Sequence, residues 1–215
     1  MIKAISFDLD GTLADERFDD LIWREEIPIL YAKKYKLSIE RAKEKVFSTY
    51  YVAYYIEKEP RWRDIEYWIN RFKLGDWKKV VDGLKDQIFI YSDVIPTLKQ
   101  LKEKYKLLVI SGADEKFLKL KIDTLSLKPY LDHIYSGPTH FGVLGKGVRV
   151  YAGILKELKL KPTEVVHIGD NHEQDYLVPR TIGMHAFHLM RGKKRKGKYE
   201  ISTLREVAEK IEDLS

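Results

Sequence analysis

The 215-residue chain predicts an α/β fold: a doubly wound, mostly parallel sheet core with a small all-helical unit inserted after the first strand. Three observations carry this reading. Short apolar runs alternate with helical patterns outside residues 16–90, as in βα units. Residues 16–90 contain no clear strand and keep a helical period instead. Each polar cluster that could carry chemistry stands directly after an apolar run, where open α/β sheets bind their ligands.

Strands are expected at residues 3–7, 107–110, 133–135, 165–168 and 185–189. Amphipathic helices lie between them. Val94, Leu98 and Leu101 fall at i, i+4 and i+7, as do Leu118, Ile122 and Leu125. Tyr151, Ile154, Leu155 and Leu158 form the face of another. Leu204, Val207, Ala208 and Ile211 mark the last, with Thr203 and Glu206 spaced as a capping box. In the insert, Ile39, Ala42, Val46, Phe47, Tyr50, Ala53 and Tyr54 share a helical period. Ser38 is its N-cap candidate and Pro60 its end. A second helix surrounds Ile65, Trp68, Ile69 and Phe72. The aromatic residues here (Tyr50, Tyr51, Tyr54, Tyr55, Trp62, Tyr67, Trp68) read as packing between helices. The expected division is therefore a core of residues 1–15 and 91–215 with a helical unit at 16–90.

Composition narrows the function. Cysteine is absent, which excludes disulfides, thiolate metal sites and a cysteine nucleophile. No apolar run approaches the roughly 20 residues that span a bilayer. The first residues run straight into Asp8 without a signal-peptide pattern, so a cytoplasmic protein with no membrane contact is expected. Many Lys and Glu with few amides form a heat-adapted bias. The net charge of +6 resides in Arg191, Lys193, Lys194, Arg195, Lys196 and Lys198. This 191–198 segment lacks the aromatic interleaving of single-strand binders and reads as a solvated loop. Nucleic-acid or protein binding through it is the alternative from another functional class.

The first expected strand ends in Asp8-Leu9-Asp10-Gly11-Thr12-Leu13. Two carboxylates two residues apart would project the same way along an extended chain. Held together in a buried place they would repel, and a cation would remove that cost. A second acidic cluster, Gly169-Asp170-Asn171-His172-Glu173-Gln174-Asp175, follows the fourth strand. Mg²⁺ takes oxygen ligands and commonly only one or two carboxylates, which Asp8 and Asp170 supply. Ser111-Gly112, after the second strand, offers a hydroxyl and backbone N–H groups to an anion. Lys146, among Gly142, Gly145 and Gly147, can approach a phosphate as a point charge. Taken singly, Asp170 and Asp175 also suit turn and N-cap chemistry, Ser111 suits an N-cap, and Lys146 a surface loop.

In this order and spacing the four segments resemble the haloacid dehalogenase-like (HAD) hydrolase superfamily, whose core is Rossmann-like, over almost the whole chain. Asp8–Leu13 matches the family's first motif, Ser111-Gly112 its second, Lys146 its third, and Gly169-Asp170 with Asp175 its fourth. The helical insert is similar to the cap called C1 in that family. The resemblance implies a phosphatase with a Mg²⁺ cofactor acting on a small phosphate ester. It implies Asp8 as nucleophile and Asp10 as acid and base, with the metal held by Asp8, the Asp10 carbonyl and Asp170. Ser111, Gly112 and Lys146 would bind the phosphoryl group, Thr12 would belong to the same substrate-binding set and steady the first loop, and Asp175 would sit by the metal's waters or orient Lys146. Two departures stand out: Gly147 follows Lys146 where a proline is frequent, and Pro179-Arg180 replaces small residues. Within the same resemblance, the rival is a metal-free 2-haloacid dehalogenase using the same nucleophile. Asp10 argues against it, because those enzymes carry an aromatic residue there. Oligomeric state and substrate identity are not written in these patterns.

Overall fold

The computed structural model describes residues 1–193 and 197–214. Residues 194–196 of the basic segment therefore lie outside the described residues. The chain divides into two compact units, Met1–Asp15 with Ile90–Ser215, and Glu16–Phe89.

The first unit is built on a six-stranded sheet: β1 (Ala4–Phe7), β2 (Lys106–Ser111), β3 (His133–Ser136), β4 (Val165–Gly169), β5 (His185–Leu189) and β6 (Glu200–Ile201). Its order is β3-β2-β1-β4-β5-β6, and every pairing is parallel. All five expected strands are present. The sixth escaped periodicity because two residues have no period. It forms where the chain leaving β5 returns and pairs His188 with Glu200 and Leu189 with Ile201.

Side chains alternate between the faces of a strand, and the two faces bury different helices. Ile5, Phe7, Leu107, Val109, Val166 and Ile168 pack with Val94, Leu98 and Leu118 on one side, where Leu204, Val207 and Ile211 join them. Ala4, Leu108, Ile110 and Val165 pack with Val150, Tyr151 and Ile154 on the other. The sheet is thus doubly wound. The helices begin where local chemistry permits: Asp114 accepts from Lys116 N at the Glu115–Thr124 helix, and Thr203 with Glu206 forms the expected capping box. Arg180 stacks between the rings of Tyr176 and Tyr199, at 4.8 and 4.5 Å, which gives the unexpected residue beside Pro179 a packing role.

β1 is the hinge of this topology. Its neighbours β2 and β4 lie on opposite sides, so the chain order reverses there and a crevice opens at the carboxyl ends. Asp8 and Asp170 each follow a strand that borders it. The basic segment is only partly a solvated loop. Arg191 donates to the Thr12 carbonyl (2.7 Å) and to both Asp93 oxygens (3.0 Å each), with its guanidinium 3.9 Å from the Tyr91 ring centroid. This cation clamps the loop that follows β1.

The second unit is all helical. Its main helices are Ile27–Tyr35, Ile39–Tyr51, Ile65–Arg71 and Trp77–Asp82. Ser38 caps the second, accepting from Arg41 N, and Asp64 caps the third. π-helical turns at Leu21–Glu26 and Val52–Ile56 interrupt or prolong the helices, a detail that apolar spacing does not encode. Its aromatics form a packed cluster: Trp68 lies 4.6 Å from Tyr50 and 5.3 Å from Phe72, ring to ring, and donates Nε1–H to the Trp62 carbonyl at 2.6 Å. Tyr51 and Tyr55 depart from the packing expectation and are more than half exposed, at 59% and 54%. Among the described residues no helix is long and apolar enough to cross a membrane.

Trp68 is fully buried. Trp68→Ala should therefore cost this unit about 3–5 kcal/mol, counting lost transfer energy and the residual cavity. Urea unfolding followed by far-ultraviolet circular dichroism measures this. A loss below about 1 kcal/mol would show that the cluster collapses around the vacancy.

Candidate active site

The loop after β1 is folded back on itself. Leu9 O accepts from the N–H groups of Leu13 and Ala14, both at 2.8 Å, and Gly11 N donates to Ala14 O at 2.8 Å. The reversal needs Gly11, whose φ is +79°. A Cβ there would also stand 2.7 Å from the Asp170 carboxylate. The β1 and β4 loops thus meet directly. Thr12 is fully buried and its hydroxyl donates to Asp170 Oδ1 at 3.3 Å. It supports Asp170 and its own loop.

Asp8 is buried, and its N–H donates to Ile168 O at 2.9 Å. Lys146, 4% exposed, places Nζ against Asp8 Oδ1 and 2.6 Å from Asp175 Oδ1. Gln174 Oε1 accepts from Lys146 N at 2.9 Å and fixes the glycine-rich loop. That contact explains Gly145, whose φ is +70° and whose Cβ would fall 2.6 Å from Gln174 Oε1. Gly147 starts the Val148–Leu158 helix, its carbonyl accepting from Val150 N, so this backbone does not require the proline. Ser111 ends β2 buried, its hydroxyl accepting from Ala113 N at 3.0 Å. Next to it a Cβ on Gly112 would lie 3.5 Å from Gly145 Cα, so the second and third segments are in contact. Ser136, on β3, donates to Ala113 O at 2.7 Å and holds the Ser111-Gly112 loop from outside.

Carboxylate oxygens of Asp8, Asp170 and Asp175 lie within 4.8 Å of one another. They do not have equal freedom. Asp175 Oδ1 takes Lys146 and His167, and its Oδ2 accepts from Asn171 N at 3.1 Å. Burial opposes its ionisation, but Lys146 and His167 hold its carboxyl far below the usual range. The Lys146 ammonium is likewise held well above its ordinary value, since Asp175 and Asp8 outweigh its burial. Asp8 carries the residual cost. Burial first, then the charges of Asp175, Asp170 and Asp10, push its carboxyl well above the ordinary range despite Lys146. Three clustered carboxylates against one ammonium leave a net negative site of hard oxygen donors. Such a set fits a divalent cation, with Asp8 and Asp170 as candidate ligands and Asp175 as the anchor of Lys146.

Pattern reading did not place three buried groups beside these at the site. Lys121, 1% exposed, reaches from the Glu115–Thr124 helix to Asp10 Oδ1 at 2.5 Å. Its signal was a cation three residues after Leu118, on the apolar face. His167, within Val-Val-His-Ile, is fully buried on β4 beside Ser6 of β1. His167 Nε2 lies 3.0 Å from Asp175 Oδ1, and Nδ1 lies 2.8 Å from Ser6 Oγ. The carboxylate requires Nε2 to carry the proton, so Nδ1 accepts from the serine hydroxyl. Tyr151, behind them, donates to Gln174 O at 2.8 Å.

The haloacid dehalogenase-like hydrolase family profile matches residues 2–183. The chain belongs to that family. As a HAD hydrolase it is 24% identical over 171 residues to the GMP/IMP nucleotidase YrfG of Escherichia coli K12, covering 79% of this chain and 75% of the relative. Among solved structures, a HAD phosphatase from Thermococcus onnurineus superposes with a TM-score of 0.83 at 23% identity, over 98% of both chains. A 2-haloacid dehalogenase from Pseudomonas syringae pv. Tomato DC3000 superposes with 0.73 at 20% identity, over 100% of both chains. Both show the fold.

The buried histidine of this HAD hydrolase gives a signed pH effect on stability. Burial lowers the His167 pKa below 6.5, with the Asp175 contact opposing. Below about pH 6.5 the unfolded chain therefore binds a proton that folded His167 refuses, and stability falls as pH falls, by up to about 1.4 kcal/mol per unit. His167→Leu should remove this component. Urea unfolding between about pH 5 and about pH 7 in excess chelator, compared between wild type and variant, measures it. Equal slopes would mean that folding leaves the His167 pKa unshifted, and a reversed difference that the fold favours the protonated ring.

Proposed function

We propose that this chain is a Mg²⁺-dependent phosphatase that cleaves a small phosphate monoester through an aspartyl-phosphate on Asp8. The observation that carries the reading is a pair of differently held carboxylates at the end of β1. Asp8 lies against Lys146 beside Asp170 and Asp175, while Asp10 stands apart on Lys121. This supports reading one as the attacking group and the other as the proton carrier.

In the proposed reaction a carboxylate oxygen of Asp8 attacks phosphorus, the P–O bond to the leaving group breaks, and Asp10 delivers a proton to the departing oxygen. Water then attacks the phosphorus of the acyl phosphate. Asp10 takes its proton, inorganic phosphate leaves and Asp8 is restored. Lys146 and the N–H groups around Ser111-Gly112 face the charge spread over the phosphoryl oxygens. Asp8, the Asp10 carbonyl and Asp170 would hold Mg²⁺, which when bound offsets the negative charge that builds up on those oxygens. The name of the Escherichia coli relative makes purine nucleoside monophosphates a natural first panel of substrates. The helical unit at 16–89 follows the first motif directly in the chain, which supports reading it as a cap that selects the substrate.

Hydrolysis of phosphate monoesters should disappear in excess chelator and return with Mg²⁺. Full turnover in chelator, or haloacid turnover exceeding that of every phosphate ester, would overturn the reading.

The two carboxylates should fail differently. Asp8→Asn should abolish turnover and form no phosphoenzyme. Asp10→Asn should still be phosphorylated by an aryl phosphate whose phenol leaves without a proton, and should then accumulate the intermediate, since no base activates water. Rapid acid quench with intact-mass spectrometry reads the added phosphoryl group. Phosphorylation of the Asp8 variant would remove the nucleophile assignment.

A further inference from the structure

Lys121 is among the largest fully buried side chains of the protein, at 1% exposure. It sits in the Glu115–Thr124 helix between Phe117, Leu118 and Ile122, all buried. An apolar side chain would satisfy this helix position, and an ammonium withdrawn from water is costly unless paired. Its helix neighbour Lys119 takes the ordinary course, pairing with Glu115 at the surface. Lys121 instead runs beneath the helix and ends 2.5 Å from Asp10 Oδ1, with Nζ 5.6 Å from the Phe117 ring centroid. The Asp10 side chain is 12% exposed, so this pair lies at the rim of the buried site.

We infer that Lys121 is the positioning residue for Asp10: its ammonium tethers one carboxylate oxygen so that the other stays aimed at the reacting phosphoryl group. This rests on the phosphatase reading above. A free aspartate samples several rotamers, and misplacing a catalytic group by about 1 Å can cost on the order of 10²-fold in rate. The loop after β1 turns at Gly11, and the Asp10 side chain that leaves it meets the Lys121 ammonium. The Lys121 helix begins just after the Ser111-Gly112 loop, so one segment orders both the phosphoryl-binding backbone and the carboxylate that serves the leaving oxygen. Asp10 keeps its second oxygen for the proton in both half-reactions. Lys121 gives up no proton, and no bond to it forms or breaks.

If Lys121 acts only through Asp10, its removal matters only while Asp10 can work. Lys121→Met, close in length and apolar, should lower kcat on an alkyl phosphate by on the order of 10²-fold. KM should stay within about threefold, since the substrate does not meet the ammonium. On an aryl phosphate with an acidic phenol, phosphoenzyme should accumulate, as in Asp10→Asn. In the Asp10→Asn background, the added Lys121→Met should change kcat by less than about twofold. Lys121→Arg, a cation with a different head, should recover part of the loss. Circular dichroism and the unfolding midpoint control for folding, and Lys121→Gln replaces Met should the Met variant not fold. Losses that multiply in the double variant overturn the inference, as does a rise in KM at unchanged kcat, which would put Lys121 on the substrate. Wild-type protein that hydrolyses no phosphate ester ends the phosphatase reading first, and this role with it.

Discussion

The site turns on one buried ammonium. Lys146 Nζ sits between Asp8 and Asp175, and all three groups are nearly withdrawn from solvent. Remove that cation and two carboxylates face each other in a low-dielectric pocket with Asp170 alongside, a costly arrangement. The surrounding structure serves to hold it. Gln174 fixes the backbone of the lysine's loop, Asn171 N and His167 fix the far carboxylate, and the parallel strands β1 and β4 set the spacing. Asp8 remains the poorly compensated member, its carboxyl pushed up by burial and by its acidic neighbours. The site thus carries an excess of negative charge that a positive ligand would offset.

Behind the ammonium runs a line of hydrogen bonds from Ser6 through His167 to Asp175. Each member restricts the next. The Asp175 carboxylate selects the imidazole tautomer, the serine hydroxyl donates to the ring nitrogen left over, and Asp175 holds Lys146 in turn. Ser6 and His167 are paired in register on neighbouring strands, so sheet geometry aims the whole line. Polar groups buried this deeply are tolerable only because each finds a partner. Arg191 serves the opposite side in the same manner, binding Thr12 O and Asp93 so that the β1 loop cannot drift.

Much of this was legible in the sequence, for identifiable reasons. Buried parallel strands are short apolar runs, and the residues that follow them sit at the ligand edge, so Asp8, Ser111 and Asp170 could be placed without a structure. Lys146 was legible through the glycines around it. What escaped was of two kinds. Irregular backbone, such as the π-helical turn at His172–Leu177 and the two-residue β6, depends on tertiary pairing that no period records. Buried polar residues were the other kind. His167 and Lys121 lie inside apolar patterns, and a pattern search counts them as interruptions. They become informative only when the question is what would neutralise them. Arg191 was misjudged by the opposite error: a run of cations looks uniform, although its first member points inward.

The similarity to both a phosphatase and a dehalogenase structure leaves the chemistry to be argued from side chains, since one fold carries both. The leaving group decides between them. Halide departs as a stable anion and asks for no proton, whereas an alkoxide does not depart at neutral pH without one. A haloacid reaction would give Asp10 no leaving group to protonate, yet this chain sets a carboxylate there and buries a lysine against it. An ion pair so placed contributes little to stability by itself, because desolvation offsets most of its attraction. Its retention is easier to explain by what the carboxylate does. The distribution of cations fits the proposed reaction: Lys146 faces Asp8 and Lys121 faces Asp10, so each aspartate of the first loop has its own partner. Two aspartates with separate cations can hold different roles at the same moment, and only a poor leaving group such as an alkoxide asks for the proton that Asp10 would supply in the first step.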